Sequence, residues 1–307
     1  MTLPQVRDRT PDRPGPGPTP ASLLRALDIT LARRVQGIMP GEHKAPGIGG
    51  GIELAAIRPY VTGDDVRTID WNVTARMREA HVRVPVAERA LTTWLLLDTS
   101  ASMHFGTADR RKADVAEGVA LVIGQLATKR ANRLGVFAFG GRDTLTLPPR
   151  QGRTGLLGLL LALREEPPAE GGGATSLGAA LRRAGGMASR NGGLVVLVSD
   201  FRGPQDWLDP LRSLRARHSV LAVEVRDPRE MELPAMGVLA LVDPETGRQI
   251  QADTRSRKLR ERFAAAAASE REQVAQLLRD ARVDHAVLST SGEWLRPLAK
   301  RLGRGLR

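Results

Sequence analysis

Two short runs constrain the fold of this chain more than anything else in it. Trp94-Leu95-Leu96-Leu97 and Leu194-Val195-Val196-Leu197-Val198 are apolar at every position. A strand sends successive side chains to opposite faces. A strand apolar throughout must therefore be covered on both sides, and sheets of that kind are largely parallel. Parallel neighbours need a crossover, usually a helix. The rest of the chain supplies them. Val115, Val119, Val122 and Leu126 recur at helical spacing, and further helices are predicted over 154–164, 176–188, 205–216 and 255–281, with a last one from Trp294 to Leu302. Further strands are predicted at Leu134–Phe139, paired with Thr144–Leu147 across a turn, at Val220–Val225 and at Val283–Leu288. Val238–Val242 and Arg248–Gln251 flank Asp243-Pro244-Glu245-Thr246-Gly247 and read as a hairpin. The alternation defines one α/β domain over residues 92–303, a doubly wound, mostly parallel sheet with helices on both faces and right-handed crossovers.

The N-terminal part is different in kind. Residues 1–20 are Pro-rich and read as a disordered tail. Residues 21–51 hold a helical stripe of Leu24, Leu27, Leu31 and Val35, then a Gly-rich loop. That loop follows a helix rather than a strand, so it fails the context of a dinucleotide fingerprint, and the chain has no G-x-x-x-x-G-K-[ST] phosphate loop. Residues 52–91 carry short extended pieces such as His81-Val82-Arg83-Val84 and read as an extension with short strands, either a small β-module or a wrap onto the main sheet.

Composition removes several functions. With no cysteine there is no disulfide, no thiolate metal site and no cysteine nucleophile. The strongest apolar run, Leu156–Leu163, is far short of the about 20 residues that span a bilayer, and no signal core stands at the start. A cytoplasmic protein without a membrane span is expected. Lys and Arg outnumber Asp and Glu by 46 to 34, a net charge of +12, which allows a nucleic-acid partner. Aromatics are only 3%, however, and single-strand binding needs rings for stacking. An Arg-rich solvated surface explains the charge as well.

In open α/β sheets, ligands collect at the carboxyl ends of the strands. Asp98 follows the first apolar run, with Ser100 and Ser102 in alternation after it, and Asp200 follows the second. Between them lies Gly171-Gly172-Gly173-Ala174-Thr175-Ser176. Hydroxyls from Ser100, Ser102 and Thr175 with carboxylates from Asp98 and Asp200 make an oxygen-only set suited to a hard divalent cation such as Mg²⁺. Largely neutral ligands leave the ion positive, so an open position would attract a partner's carboxylate. The same aspartates also fit helix capping after a strand, and the residues alone do not choose between the two roles.

The pattern Asp98-x-Ser100-x-Ser102, then Thr175, then Asp200 resembles the metal-ion-dependent adhesion site of von Willebrand factor A domains. Arg58 to Arg76, Leu96 to Met103, Val198 to Phe201 and Asp243 to Gly247 resemble the signature of domain-of-unknown-function family fifty-eight, over about residues 47–290. The resemblance implies a von Willebrand A-like, Rossmann-type fold. It implies a non-enzymatic protein-interaction module that works beside a MoxR-type AAA+ ATPase to assemble or activate a client protein. It also implies that Ser100, Ser102 and Thr175 contact the ion directly, while Asp98 and Asp200 act mostly through water. Many relatives begin with two transmembrane helices; no such apolar pair is expected from this sequence, which favours a cytosolic location.

Within the signature, Tyr60, Asp64, Asp65, Arg67, Asp70, Trp71 and Arg76 gather both charges beside an aromatic. Asp65 and Asp70 are expected to pair with Arg67 or Arg76, and Tyr60 to be core, giving the segment a structural or interaction role. A metal-assisted hydrolase using the same aspartates is a rival reading, with His104 as its nearest base. The chain has no G-x-S-x-G elbow and no H-E-x-x-H helix.

Overall fold

The computed structural model describes residues 15–17, 56–84, 92–127, 132–141, 143–152, 155–158, 160, 176–188, 192–243 and 246–303. The chain divides into two compact units, residues 40–90 and the remainder. The expected helix of 21–51, most of the helix predicted over 154–164, and the loop 171–175 lie outside the described residues.

The larger unit is built on strands β3 (Thr92–Asp98), β4 (Arg133–Phe139), β5 (Leu145–Arg150), β6 (Leu194–Ser199), β7 (Ser219–Arg226) and β10 (Asp284–Ser289). They form one six-stranded sheet in the order β10-β7-β6-β3-β4-β5. All neighbours are parallel except the edge pair β4–β5, which is antiparallel. The helices are α2 (Lys112–Ala127), α3 (Leu177–Met187), α4 (Leu208–Arg215), α5 (Arg257–Asp280) and α6 (Leu295–Gly303). A separate hairpin joins β8 (Val238–Val242) to β9 (Gln249–Asp253).

The alternation of side chains along the apolar strands separates two cores. Leu95, Leu97, Val196 and Val198 pack with Val119, Ile123 and Leu298 from α2 and α6. Trp94, Leu96, Val195 and Leu197 pack with Leu181, Leu211, Val274 and Leu278 from α3, α4 and α5. Both sheet faces are thus covered, as the uniformly apolar strands require. The strand order reverses between β3 and β6, so the switch point lies between the two strands that end in Asp98 and precede Asp200. Among the described residues, no helix is long and apolar enough to cross a membrane.

The smaller unit holds β1 (Ala56–Pro59) antiparallel to β2 (His81–Val84), a turn of 3₁₀ helix at Val66–Thr68 and α1 (Trp71–Met77). Its charge pairs differ from those expected. Asp64 pairs with Arg58 through two 2.6 Å hydrogen bonds. Asp65 caps the short turn by accepting from Arg67 N–H. Asp70 caps α1 through the N–H groups of Asn72 and Val73 and accepts from Arg83 Nε at 2.8 Å. Arg83 reaches Asp70 because it extends from the neighbouring strand, whereas Arg76 lies on the helix that Asp70 begins. Tyr60 is half-buried rather than core: it directly follows edge strand β1, with its N–H on Ala80 O. Trp71, in the first turn of α1, is 71% exposed.

Leu197 sits at the centre of the sheet, registered against Leu96 and Ala222, and is fully buried. Leu197→Ala should lower unfolding free energy by about 2–5 kcal/mol in chemical denaturation. Val242→Ala in the exposed hairpin should change it by no more than about 0.5 kcal/mol.

Candidate functional site

The carboxyl ends of β3 and β6 place Asp98 and Asp200 on one rim, and both are almost fully buried. The loop after β3 is tied down by Thr99, whose N–H and hydroxyl both donate to Phe139 O at the end of β4. Ser100 then donates its N–H to Asp98 Oδ1 at 3.0 Å. The Ser100 and Ser102 hydroxyl oxygens lie 3.1 Å apart. Ser199 donates its hydroxyl to Asp98 Oδ2 at 2.6 Å, and the Ser102 hydroxyl donates to Asp200. Both aspartates and both serines of the expected set therefore belong to one hydrogen-bonded cluster. Thr175 lies outside the described residues.

Neither aspartate caps an α-helix. Each accepts from the N–H two residues on, Asp98 from Ser100 and Asp200 from Arg202, and so shapes its own loop. Gly140 closes on this loop with φ of +87°, and a Cβ there would come to about 3.1 Å from Asp98 Oδ1 and the Ser100 Cβ. Phe201, next to Asp200, adopts φ of +53°. A bulky residue in that region is strained and persists only where its surroundings hold it. Here the ring is buried edge-on against Trp207, and the N–H is held by the Ser199 hydroxyl.

The electrostatics of the two carboxylates are opposite. Burial and the neighbouring charge of Asp200 push the Asp98 carboxyl up to about 6, against hydrogen bonds from Ser199 and Ser100. Burial also works against Asp200, but the adjacent Lys112 ammonium holds its carboxyl below the ordinary value. Lys112 is fully buried, with Nζ 2.6 Å from Asp200 Oδ2 and 2.7 Å from Glu230 Oε1. Glu230 also meets Arg202 at 2.9 Å and Arg271 at 3.8 Å. Arg271 donates to the Asp200 carbonyl and to Glu224, which in turn binds Arg226 and His285.

Lys112, Glu230 and Arg271 lie outside the set of site residues expected from the sequence. A signal for two of them existed. Lys112 precedes Val115 and Val119 at three- and seven-residue spacing, and Arg271 lies between Ala267 and Val274 at four and three. Both cations therefore sit on the buried stripes of their helices. Glu230 stands three residues after Asp227 in a capping-box pattern, which marks the start of the 3₁₀ turn Pro228–Glu230 after β7 but not a place at the rim.

The cluster suits a hard cation in part. Its donors are all oxygens, two are neutral hydroxyls held together, and the Asp98 charge is disfavoured as the rim stands. Among the described residues, no group of three or more His, Cys, Asp or Glu is placed to hold a metal. A cation at this rim would therefore need the hydroxyls as ligands.

The family model described as "Protein of unknown function DUF58" matches residues 56–273. Uncharacterized protein Rv1480 of Mycobacterium tuberculosis is 40% identical over 288 residues, covering 92% of this chain and 89% of that protein. Among solved structures, an aerotolerance-related membrane protein of Bacteroides fragilis aligns at 15% identity and a TM-score of 0.46, covering 71% of this chain and 98% of that one. A von Willebrand factor type A protein of Catenulispora acidiphila aligns at 14% identity and a TM-score of 0.39, over 73% and 42%.

A raised carboxyl means the folded chain holds its proton to higher pH than the unfolded chain does. Stability from Asp98 is thus present at low pH and lost as pH rises from the ordinary 3.8 toward about 6. Unfolding curves across that window should show Asp98→Asn gaining on the wild type as pH rises. A constant gap between the two proteins would contradict the assignment.

Proposed function

Because this chain belongs to the DUF58 family, we propose that it is a non-enzymatic protein-interaction module whose binding depends on a divalent cation at the rim of a von Willebrand A-like domain. One observation carries the reading: a carboxylate and two hydroxyls converge at the topological switch point, with a second carboxylate one hydrogen bond away. Asp98, Ser100 and Ser102 would hold the ion, with Thr175 completing the hydroxyl set. Asp200 would act at one remove, through the Ser102 hydroxyl or water. When bound, the ion, Mg²⁺ or another divalent, supplies a positive centre with an open position for a partner's carboxylate oxygen.

This chain's own residues preorganise that position. The Thr99 contacts fix the loop, Ser199 aims one Asp98 oxygen, and the Ser100 N–H aims the other. No step in this reading moves a proton or breaks a bond, which separates it from a hydrolase built on the same aspartates. The partner we propose is a MoxR-type AAA+ ATPase, acting with this chain in the cytoplasm on a client protein. The resemblance of the Arg58–Arg76 signature supports that choice. A nucleic-acid partner draws support only from the net charge of +12.

The test is binding of the purified chain to the MoxR-type ATPase of the same organism, with Mg²⁺ or with excess EDTA. Asp98→Ala and Ser100→Ala should remove the ion-dependent binding while leaving the circular dichroism spectrum unchanged. Equal binding in EDTA would defeat the proposal. Binding to DNA or RNA that falls steeply with salt would favour the alternative.

A further inference from the structure

The Lys112 side chain is unusual for a surface-rich basic protein: it is 0% exposed and lies against two carboxylates. A desolvated ammonium is stable only when paired and hydrogen-bonded. Its two partners are not equivalent. Glu230 has other cations, Arg202 at 2.9 Å and Arg271 at 3.8 Å. The Asp200 carboxylate has Lys112 as its short ion pair, with the Arg202 N–H on the other oxygen at 3.1 Å. Lys112 therefore answers chiefly to Asp200.

We propose that Lys112 is a built-in counter-ion that sets the metal affinity of the rim. It claims Asp200, leaves the divalent ion to Asp98, Ser100 and Ser102, and keeps that ion weakly held. The inference rests on the metal reading of the site given above. A divalent ion at Asp200 Oδ2 would have to displace Nζ, and the ammonium is sealed from water with no solvent to receive it, while Oδ1 is already held by the Arg202 N–H. Its charge also stays beside the ion and repels it, and in a buried setting that repulsion is only weakly screened. A partner carboxylate would add the negative ligand that Lys112 withholds. Ion and partner would then bind cooperatively, each raising the affinity of the other by the same factor.

The experiment is a Mn²⁺ titration of the full chain, read by calorimetry and by the shift in melting temperature. Lys112→Met keeps the length of the stem and removes the charge. It should bind Mn²⁺ about tenfold more tightly than wild type, or better, as the repelling charge is gone. Its melting temperature should be low without ion and rise further with it than the wild type's does. Lys112→Gln, which keeps a donor, should give the same ordering and covers poor folding of the methionine variant. Adding Ser100→Ala should abolish the gain, which places it at this rim.

Equal or weaker Mn²⁺ binding by both variants overturns the proposal, while binding by wild type would leave the metal reading standing. So does a failure of both to fold in millimolar Mn²⁺, because tighter binding of the ion at the rim would then bring no stabilisation. No binding by any protein overturns this proposal and the metal reading together. Binding by the variants but not by wild type overturns the metal reading and this proposal with it, and leaves Lys112 as the rim's resident cation.

Discussion

Two carboxylates buried side by side at the edge of a sheet are the constraint on which the rest of this rim depends. Asp98 and Asp200 are held there because β3 and β6 are adjacent and parallel, with apolar runs that end at Leu97 and Val198. Water cannot disperse their charge. The structure answers the two differently, giving Asp200 an ammonium and giving Asp98 only hydrogen bonds. The asymmetry makes one carboxylate a settled part of the scaffold. The other is held, among the described residues, by hydrogen bonds alone.

The settled half is anchored well beyond the rim. Lys112 reaches Glu230, and Glu230 is positioned by a capping box with Asp227 at the end of β7. Burial opposes the Asp227 charge, but donors from Thr107, Thr290 and the Arg229 N–H hold its carboxyl below the ordinary value. That single side chain joins the loop before α2, the end of β7 and the end of β10. Buried networks of this kind are favourable only when every member is satisfied. The links from Asp227 to Lys112 explain how a lysine can stay dry beside Asp200. The same links tie the rim to the loop before α2 and to the ends of β7 and β10.

Much of the architecture is legible in the residues. Strands apolar throughout demand cover on both faces, and the helices that cover them show their stripes at 3.6-residue spacing. Asp98, Ser100, Ser102 and Asp200 could be picked out because a residue just past an apolar strand must lie at a sheet edge. The signature segment was less legible. Its charges choose partners across strands and turns, so Asp70 meets Arg83 and Asp64 meets Arg58, pairings that helical spacing cannot foresee. Tyr60 is half-buried rather than core because an aromatic next to an edge strand has cover on only one side.

The amino-acid order by itself determined the two-faced sheet, the helices against it and the delivery of two aspartates and two serines to one end. Those follow from local periodicity and the cost of leaving apolar side chains in water. Only the tertiary structure decided which charges meet. Lys112, Asp200 and Glu230 are far apart in sequence, and no local pattern encodes their meeting. Strand order and helix docking bring them within 2.7 Å, and at that distance burial turns three ordinary charged residues into one interdependent unit.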